Sequence, residues 1–184
     1  DLTIDSDPDT LNLQTVSATG DVVINSADDL TVNAAGSFTA SGSLAMTVGA
    51  AGELLWDGPG TVGNGATLVA TVRDVEFSGA LTVTNGNAVV TAGDAVDFES
   101  TPGVGGLLSV TNGNATLTGD DIYGEDLKAT VDVEAEIITL VGTSGIGVST
   151  AAFADRLQIE ARTRLDATTT NSDAQIENVG GTLV

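Results

Sequence analysis

The 184-residue chain contains no cysteine and no histidine. Without cysteine there is no disulfide framework and no thiolate metal centre. Without histidine the commonest general base and the commonest zinc ligand are both missing. Aromatic residues are scarce: one Trp, one Tyr and four Phe. A globular core of this length usually relies on large rings for burial. The apolar residues here are mainly Val, Leu, Ile and Ala, mixed with many Thr and Gly, which suits a narrow core built from short strands. Basic residues are nearly absent as well, with 5 Lys and Arg against 26 Asp and Glu and a formal net charge of −21. A field of that sign repels nucleic acid and anionic membrane surfaces, so neither is an expected partner. It favours solubility and attracts divalent cations. No apolar run reaches the roughly 18 residues that a membrane-crossing helix needs, and membrane insertion is not expected. No signal peptide is visible, the chain begins with Asp1, and both ends read like the middle of a pattern; the expectation is a processed protein or an excised segment.

What is present is a beat. Residues 20–48 divide into GDVVINSA, DDLTVNAA, GSFTASG and SLAMTVG. Each is a strand-like word followed by a corner rich in Gly, Asp, Asn, Ser or Ala, recurring every seven to eight residues. Three such words make a rung of about 24 residues. A longer echo supports that scale, for VTNGNA occurs at Val83–Ala88 and again at Val110–Ala115, an offset of 27 residues. Carrying the same offset outward sets Trp56-Asp57-Gly58 against Val83-Thr84-Asn85, and Ile137-Ile138-Thr139 against Val110-Thr111-Asn112.

Within the words the apolar period is two, as in a half-buried strand. Val75, Phe77, Leu81 and Val83 share one parity, opposite Asp74, Glu76 and Ser78. Leu157, Ile159, Ala161 and Leu165 alternate with Arg156, Gln158, Glu160, Arg162, Arg164 and Asp166, and Val131, Val133, Ala135 and Ile137 with Asp132, Glu134 and Glu136. No 3.6-residue period competes. An antiparallel sandwich would read TNGN as a tight hairpin turn. It would explain neither the steady beat nor the return of the same turn after one rung. The sequence therefore predicts an all-β parallel β-helix (β-solenoid) over residues 1–184, with about three short strands per rung of roughly 24–27 residues and about seven rungs. In that arrangement Asn85 stacks on Asn112, and Asn87 on Asn114. No capping helix is visible at either end, so the open rungs predict either a longer parent chain or end-to-end self-association.

Residues 20–48, with Gly20-Asp21-Val22-Val23-Ile24-Asn25 and Asp28-Asp29-Leu30-Thr31-Val32-Asn33, resemble the repeat region of filamentous-haemagglutinin-type adhesins. These are large bacterial exoproteins typically exported by two-partner secretion. The likeness is good over 20–48, moderate over 80–122, and one of texture elsewhere. The Asn-Pro-Asn motifs of the family's secretion domain are absent, so the segment resembles the shaft. The resemblance implies an extracellular, rod-like, non-enzymatic surface protein with a protein or glycan receptor as partner.

Candidate sites each have a plainer reading. Asp5, Asp7 and Asp9 imitate the opening of a calcium loop, but an EF-hand needs Gly and Glu where Thr10 and Val16 stand. Asp120, Asp121 and Asp126, with Glu125 around Tyr123, form the preferred calcium candidate, and Asp28-Asp29 a further one; carboxylates on adjacent rungs could share a hard cation, although a solvated face is the simpler reading. Glu134 and Glu136, same-face neighbours about 6.5–7 Å apart, satisfy the spacing of a glycosidase pair but lack an aromatic platform. Arg156, Arg162 and Arg164 could line a groove for an acidic sugar, but cross-strand ion pairing with Glu160 and Asp166 is the simpler account. Lys128 and Arg73 are the other basic residues. Trp56 and Asp57 open the least regular segment, 56–66, read as a candidate projecting binding loop; the plainer reading makes Trp56 a core plug. Ile138 and Leu140 fall among acidic neighbours and predict a covered patch, under 142–154 or another chain. Thr-x-Thr words such as Thr82-Val83-Thr84 occur in ice-binding solenoids, but their spacing here is too uneven to predict a long array. No catalytic residue is expected.

Overall fold

A computed structural model describes residues 1–6, 9–49, 52–101, 104–124, 131–147 and 156–180. Among these there is no helix, and the strands coil into a β-solenoid of about seven turns. The coil has three faces. On the first, Leu2, Val22, Leu44, Ala66, Ala88, Ala115, Ile138 and Leu165 succeed one another in parallel register. On the second the succession is Leu11, Leu30, Leu54, Val75, Val96, Ile122 and Ile146. On the third it is Val16, Phe38, Gly60, Leu81, Leu108, Val133 and Ile159. Backbone hydrogen bonds run along the axis between coils, while alternate side chains point inward and meet across the three faces. The inward residues form one continuous cluster, most of them fully buried. No single coil could bury that apolar surface alone, which is why the fold needs its stack.

The coil length varies without disturbing the stack. One turn takes 20 residues at Asp5–Asn25, 22 at Asp21–Ser43 and 27 at Asn85–Asn112. The extra residues are absorbed between strands. The 27-residue step therefore holds for the VTNGNA pair but not for the coil on either side of it. Asn85 is matched on the preceding turn by Asn64, not by the Trp56 segment, and Ile138 lies against Ala115 rather than Thr111. The TNGN segments are corners between faces, not hairpins: Val83 pairs in parallel with Val110, and Ala88 with Ala115. Gly86 turns this corner with φ of +83°, a conformation that L-residues with a side chain rarely adopt. The predicted ladder is present: Asn112 Nδ2 donates to Asn85 Oδ1 at 3.2 Å, and Asn114 N–H to Asn87 Oδ1 at 3.1 Å.

Three sequence expectations are corrected. Residues 56–66 do not project as a loop: Leu54–Trp56 and Gly60–Ala70 are strands of the coil. Ile138 and Leu140 need no external cover, because both are fully buried. A register shift between Ala135 and Ile137 resets the in–out alternation at the corner, so Val133, Ala135, Ile138 and Leu140 all reach the core. Finally, the Thr words fall on two faces, Thr82-Val83-Thr84 on the third and Thr116-Leu117-Thr118 on the first, yet the first face gathers a longer Thr and Val array from single residues of other words. From Val23 to Val141 the first face keeps its register through every pairing, and its outward Thr and Val residues line up in columns.

Candidate functional site

The acidic residues at the corners have a backbone task. Asp21 Oδ1 accepts the Ser43 N–H and the Ser43 hydroxyl, each at 2.8 Å. Asp29 Oδ1 accepts Glu53 N–H at 3.0 Å, Asp74 Oδ1 accepts Ala95 N–H at 2.8 Å, and Asp132 Oδ2 accepts Gln158 N–H at 2.8 Å. In each case the carboxylate reaches one coil onward and satisfies a donor where the chain turns. These hydrogen bonds, to the Ser43 amide first and then its hydroxyl, hold the Asp21 carboxyl below its ordinary range. A glycine precedes the clamped amide for a steric reason: a Cβ on Gly42, before Ser43, would lie 2.3 Å from Asp21 Oδ1, and in the Gly20-Asp21 phrase a Cβ on Gly20 would lie 2.3 Å from Asp1 Oδ1. Close stacking of corners thus demands glycine beside the clamp.

A second set of acids lies on the outer side of the second face. Glu76, Asp97 and Tyr123 are consecutive in register, with Glu53, Asp57 and Glu99 on adjoining positions. All are half-buried. Desolvation, and then the neighbouring Glu99 carboxylate, pushes the Glu76 carboxyl up to about 7, while the Ser78 hydroxyl, donating to Oε1 at 3.1 Å, opposes the shift. Burial likewise raises Glu53, with Asp74 and Asp29 adding to it, and raises Asp57. The Tyr123 hydroxyl is raised by burial first and then by Asp97. Three carboxyls of this face, Glu53, Asp57 and Glu76, therefore resist ionisation. Sequence reasoning passed over the face because its members are brought together only by the register, in which one turn takes 21 residues and sets Glu76 against Asp97.

Of the preferred calcium candidate, Asp120 and Asp121 lie among the described residues. Asp121 is raised by burial and then by the charges of Asp120 and Asp94. Among the described residues no three or more carboxylates come together as metal ligands. Asp126, the third member of that candidate, and Asp7 lie outside the described residues. Asp5 accepts a hydrogen bond from Asn25 Nδ2 at 2.7 Å, and Asp29 is a corner clamp.

Glu134 and Glu136 are held apart in function. Glu134 accepts the Ser109 hydroxyl and lies 3.7 Å from Arg162, whereas Glu136 accepts the Thr163 hydroxyl across the register shift. Arg162 also donates to the carbonyls of Val110 at 3.0 Å and Thr111 at 3.1 Å, two coils back. It ties three coils together. Arg156 pairs with Glu177 at 3.9 Å and Arg164 with Asp166 at 2.8 Å, both exposed. Every Arg of the predicted group is therefore engaged in a structural pair.

Trp56 is fully buried, so it offers no binding surface. Its ring meets Phe38 edge-on at 5.4 Å, and its indole N–H points to the Ala80 carbonyl at 3.4 Å. Further along the second face Phe77 and Phe98 stack at 5.0 Å. The apparent irregularity of WDGPG follows from the ring's size: a Cβ on Gly60 would lie 2.1 Å from Trp56 Cζ2. Asp57 alone of the predicted pair faces outward.

No protein-family model matches this chain, and no similar curated protein or solved structure was found.

Proposed function

We propose that this chain is a structural rod: a non-catalytic shaft segment of an exported bacterial surface adhesin or fibre, acting outside the cell to space and display binding elements. The observation that carries this reading is the use of the polar side chains. Corner carboxylates clamp the next coil, Asn residues form an inter-coil ladder, and Arg162 spans three coils. Polar groups arranged this way reinforce the axis and converge on no reacting centre. The Gly-Asp and Leu-Thr-Val-Asn words of residues 20–48 add the adhesin likeness. A protein or glycan receptor is the partner this role implies; calcium is at most an accessory ion.

A fibre or sheath subunit that stacks end to end is the competing reading, favoured by the strand edges of a solenoid coil, which can template a further coil. Electron microscopy of the purified chain over a concentration series, with and without calcium, separates the two. Isolated short rods at every concentration support the shaft. Long uniform filaments one solenoid wide would transfer the function to self-assembly. Turnover of an acidic polysaccharide that is lost in Glu134→Gln or Arg162→Ala would replace both with an enzyme.

A further inference from the structure

Two faces of this strongly acidic molecule carry uncharged outward columns: the third, through Ser17, Thr39, Thr61, Thr82 and Ser109, and, over a longer run, the first. The outward positions of the first face form two adjacent columns. In one, Thr47, Val69, Thr91, Thr118 and Val141 follow each other in unbroken register. In the other, Thr67, Val89, Thr116 and Thr139 do the same. The columns begin to carry charge only at Asp5 towards one end and Asp166 towards the other. Between them lies no ionisable side chain, in a chain of net charge −21. All of these residues are exposed or half-exposed, and no described side chain covers them. Among the described residues, no hydrogen bond engages the hydroxyls of Thr67, Thr91, Thr116, Thr118 or Thr139.

Three properties of this face narrow its occupant. The first is periodicity. Coils are about 4.7–4.9 Å apart, and alternate residues on one strand about 6.5–7 Å apart, so methyl and hydroxyl groups form a two-dimensional grid. Thr and Val have the same branched shape, and branching at Cβ restricts χ1, so the grid is set by folding and needs little further ordering. The second is extent. Five coils of two columns cover roughly 300 Å², far below the ~800 Å² per partner of a stable protein–protein interface. A second copy of this chain would also bring another −21 charges towards the first. The third is chemistry. Water over methyl groups must bond laterally to other water, and water over Thr hydroxyls is anchored by direct hydrogen bonds. Charged groups, which impose their own hydration shells, are absent. A neutral grid that holds a water layer in register fits a partner with its own lattice.

We propose that the first face binds ice, its Thr and Val columns organising a water layer that joins the crystal. This is a second activity, separate from any receptor held at the ends or loops of the rod.

The test is the partition of the purified chain into a slowly growing ice front, together with ice shaping under a microscope. Thr91→Lys places a charge at the centre of the grid, on an outward side chain. Thr61→Lys places the same charge on the outward side of the third face. Circular dichroism shows that each variant is folded. The expected result is that the wild-type chain and Thr61→Lys enter the ice and facet it, while Thr91→Lys is excluded. Exclusion of the folded wild-type chain overturns the proposal, as does equal behaviour of the two variants. A concentration-dependent dimer in sedimentation, abolished only by Thr91→Lys, would overturn it in favour of a self-interface. Should the lysine variant fail to fold, Thr91→Val and Thr118→Val together remove hydroxyls without added bulk, and undiminished ice entry would remove the anchoring role assigned to them.

Discussion

Replacing Glu76 by Gln should stabilise this protein at alkaline pH and leave it unchanged at acid pH. Glu76 is half-buried among like charges, and its carboxyl is pushed from an ordinary value of 4.5 up to about 7. A folded-state value above the unfolded one means that the native state holds its proton more tightly. Its contribution to stability is therefore complete below about pH 4.5 and is lost as pH rises through about 7. Each pK unit corresponds to about 1.4 kcal/mol, so the full shift would convert to about 3 kcal/mol, and solvent screening at a half-exposed side chain reduces this to about 1–1.5 kcal/mol. Gln retains an acceptor for the Ser78 hydroxyl and has no charge to desolvate. Urea unfolding followed by the fluorescence of Trp56, the single and buried tryptophan, reads the effect directly. At pH 8 the variant should gain about 1–1.5 kcal/mol, or roughly 2–6 °C in Tm for a chain of this length. At pH 4.5 the two proteins should unfold together. A variant that is neutral or weaker at pH 8, or whose advantage persists unchanged at pH 4.5, would refute the account of Glu76 as a carboxyl held against ionisation.

The corner clamps respond with the opposite sign. Because the Asp21 carboxyl is held low by Ser43, its contribution is present above its ordinary value of 3.8 and disappears as pH falls through the lowered one; Asp21→Ala should weaken the fold at pH 7 and make no difference near pH 2, as read by chemical denaturation. Trp56→Ala should cost about 3–5 kcal/mol by opening a cavity beside Phe38. Gly60→Ala, which drives a methyl group into the indole, should cost about 1–3 kcal/mol and shift the Trp emission. Removing the Arg162 guanidinium should cost about 1–3 kcal/mol through its two carbonyl partners, and hydrogen exchange should show the loss concentrated in residues 131–147 and 156–169.

Much of the architecture was legible because a strand's side chains alternate and a solenoid repeats. The parity of Val75, Phe77, Leu81 and Val83 predicted four buried residues, and all four are fully buried. The recurrence of VTNGNA predicted a stacked Asn corner, and Asn85 and Asn112 bond to each other there. These signals are local or repeat verbatim, so they need no knowledge of neighbouring coils. The register beyond the verbatim repeat was not legible. Corners absorb anywhere from no extra residue to several, and a single offset carried outward mispaired Trp56 and Ile138. The Gly-rich run after Trp56 read as a loop because its cause, an indole lying over Gly60, sits on the other side of a corner.

The candidate sites show the same division. Composition alone excluded thiolate and imidazole chemistry and established the strongly acidic character of the chain. It could not say which acids clamp the backbone, as Asp21 and Asp29 do, and which are crowded, as Glu76 is. Nor could it show that single Thr and Val residues at uneven intervals share one uncharged face. Alternation along a strand depends on the covalent geometry of the chain, so sequence determines which side chains point inward. Proximity across coils depends on where each corner closes, so only the folded stack decides which outward side chains become neighbours.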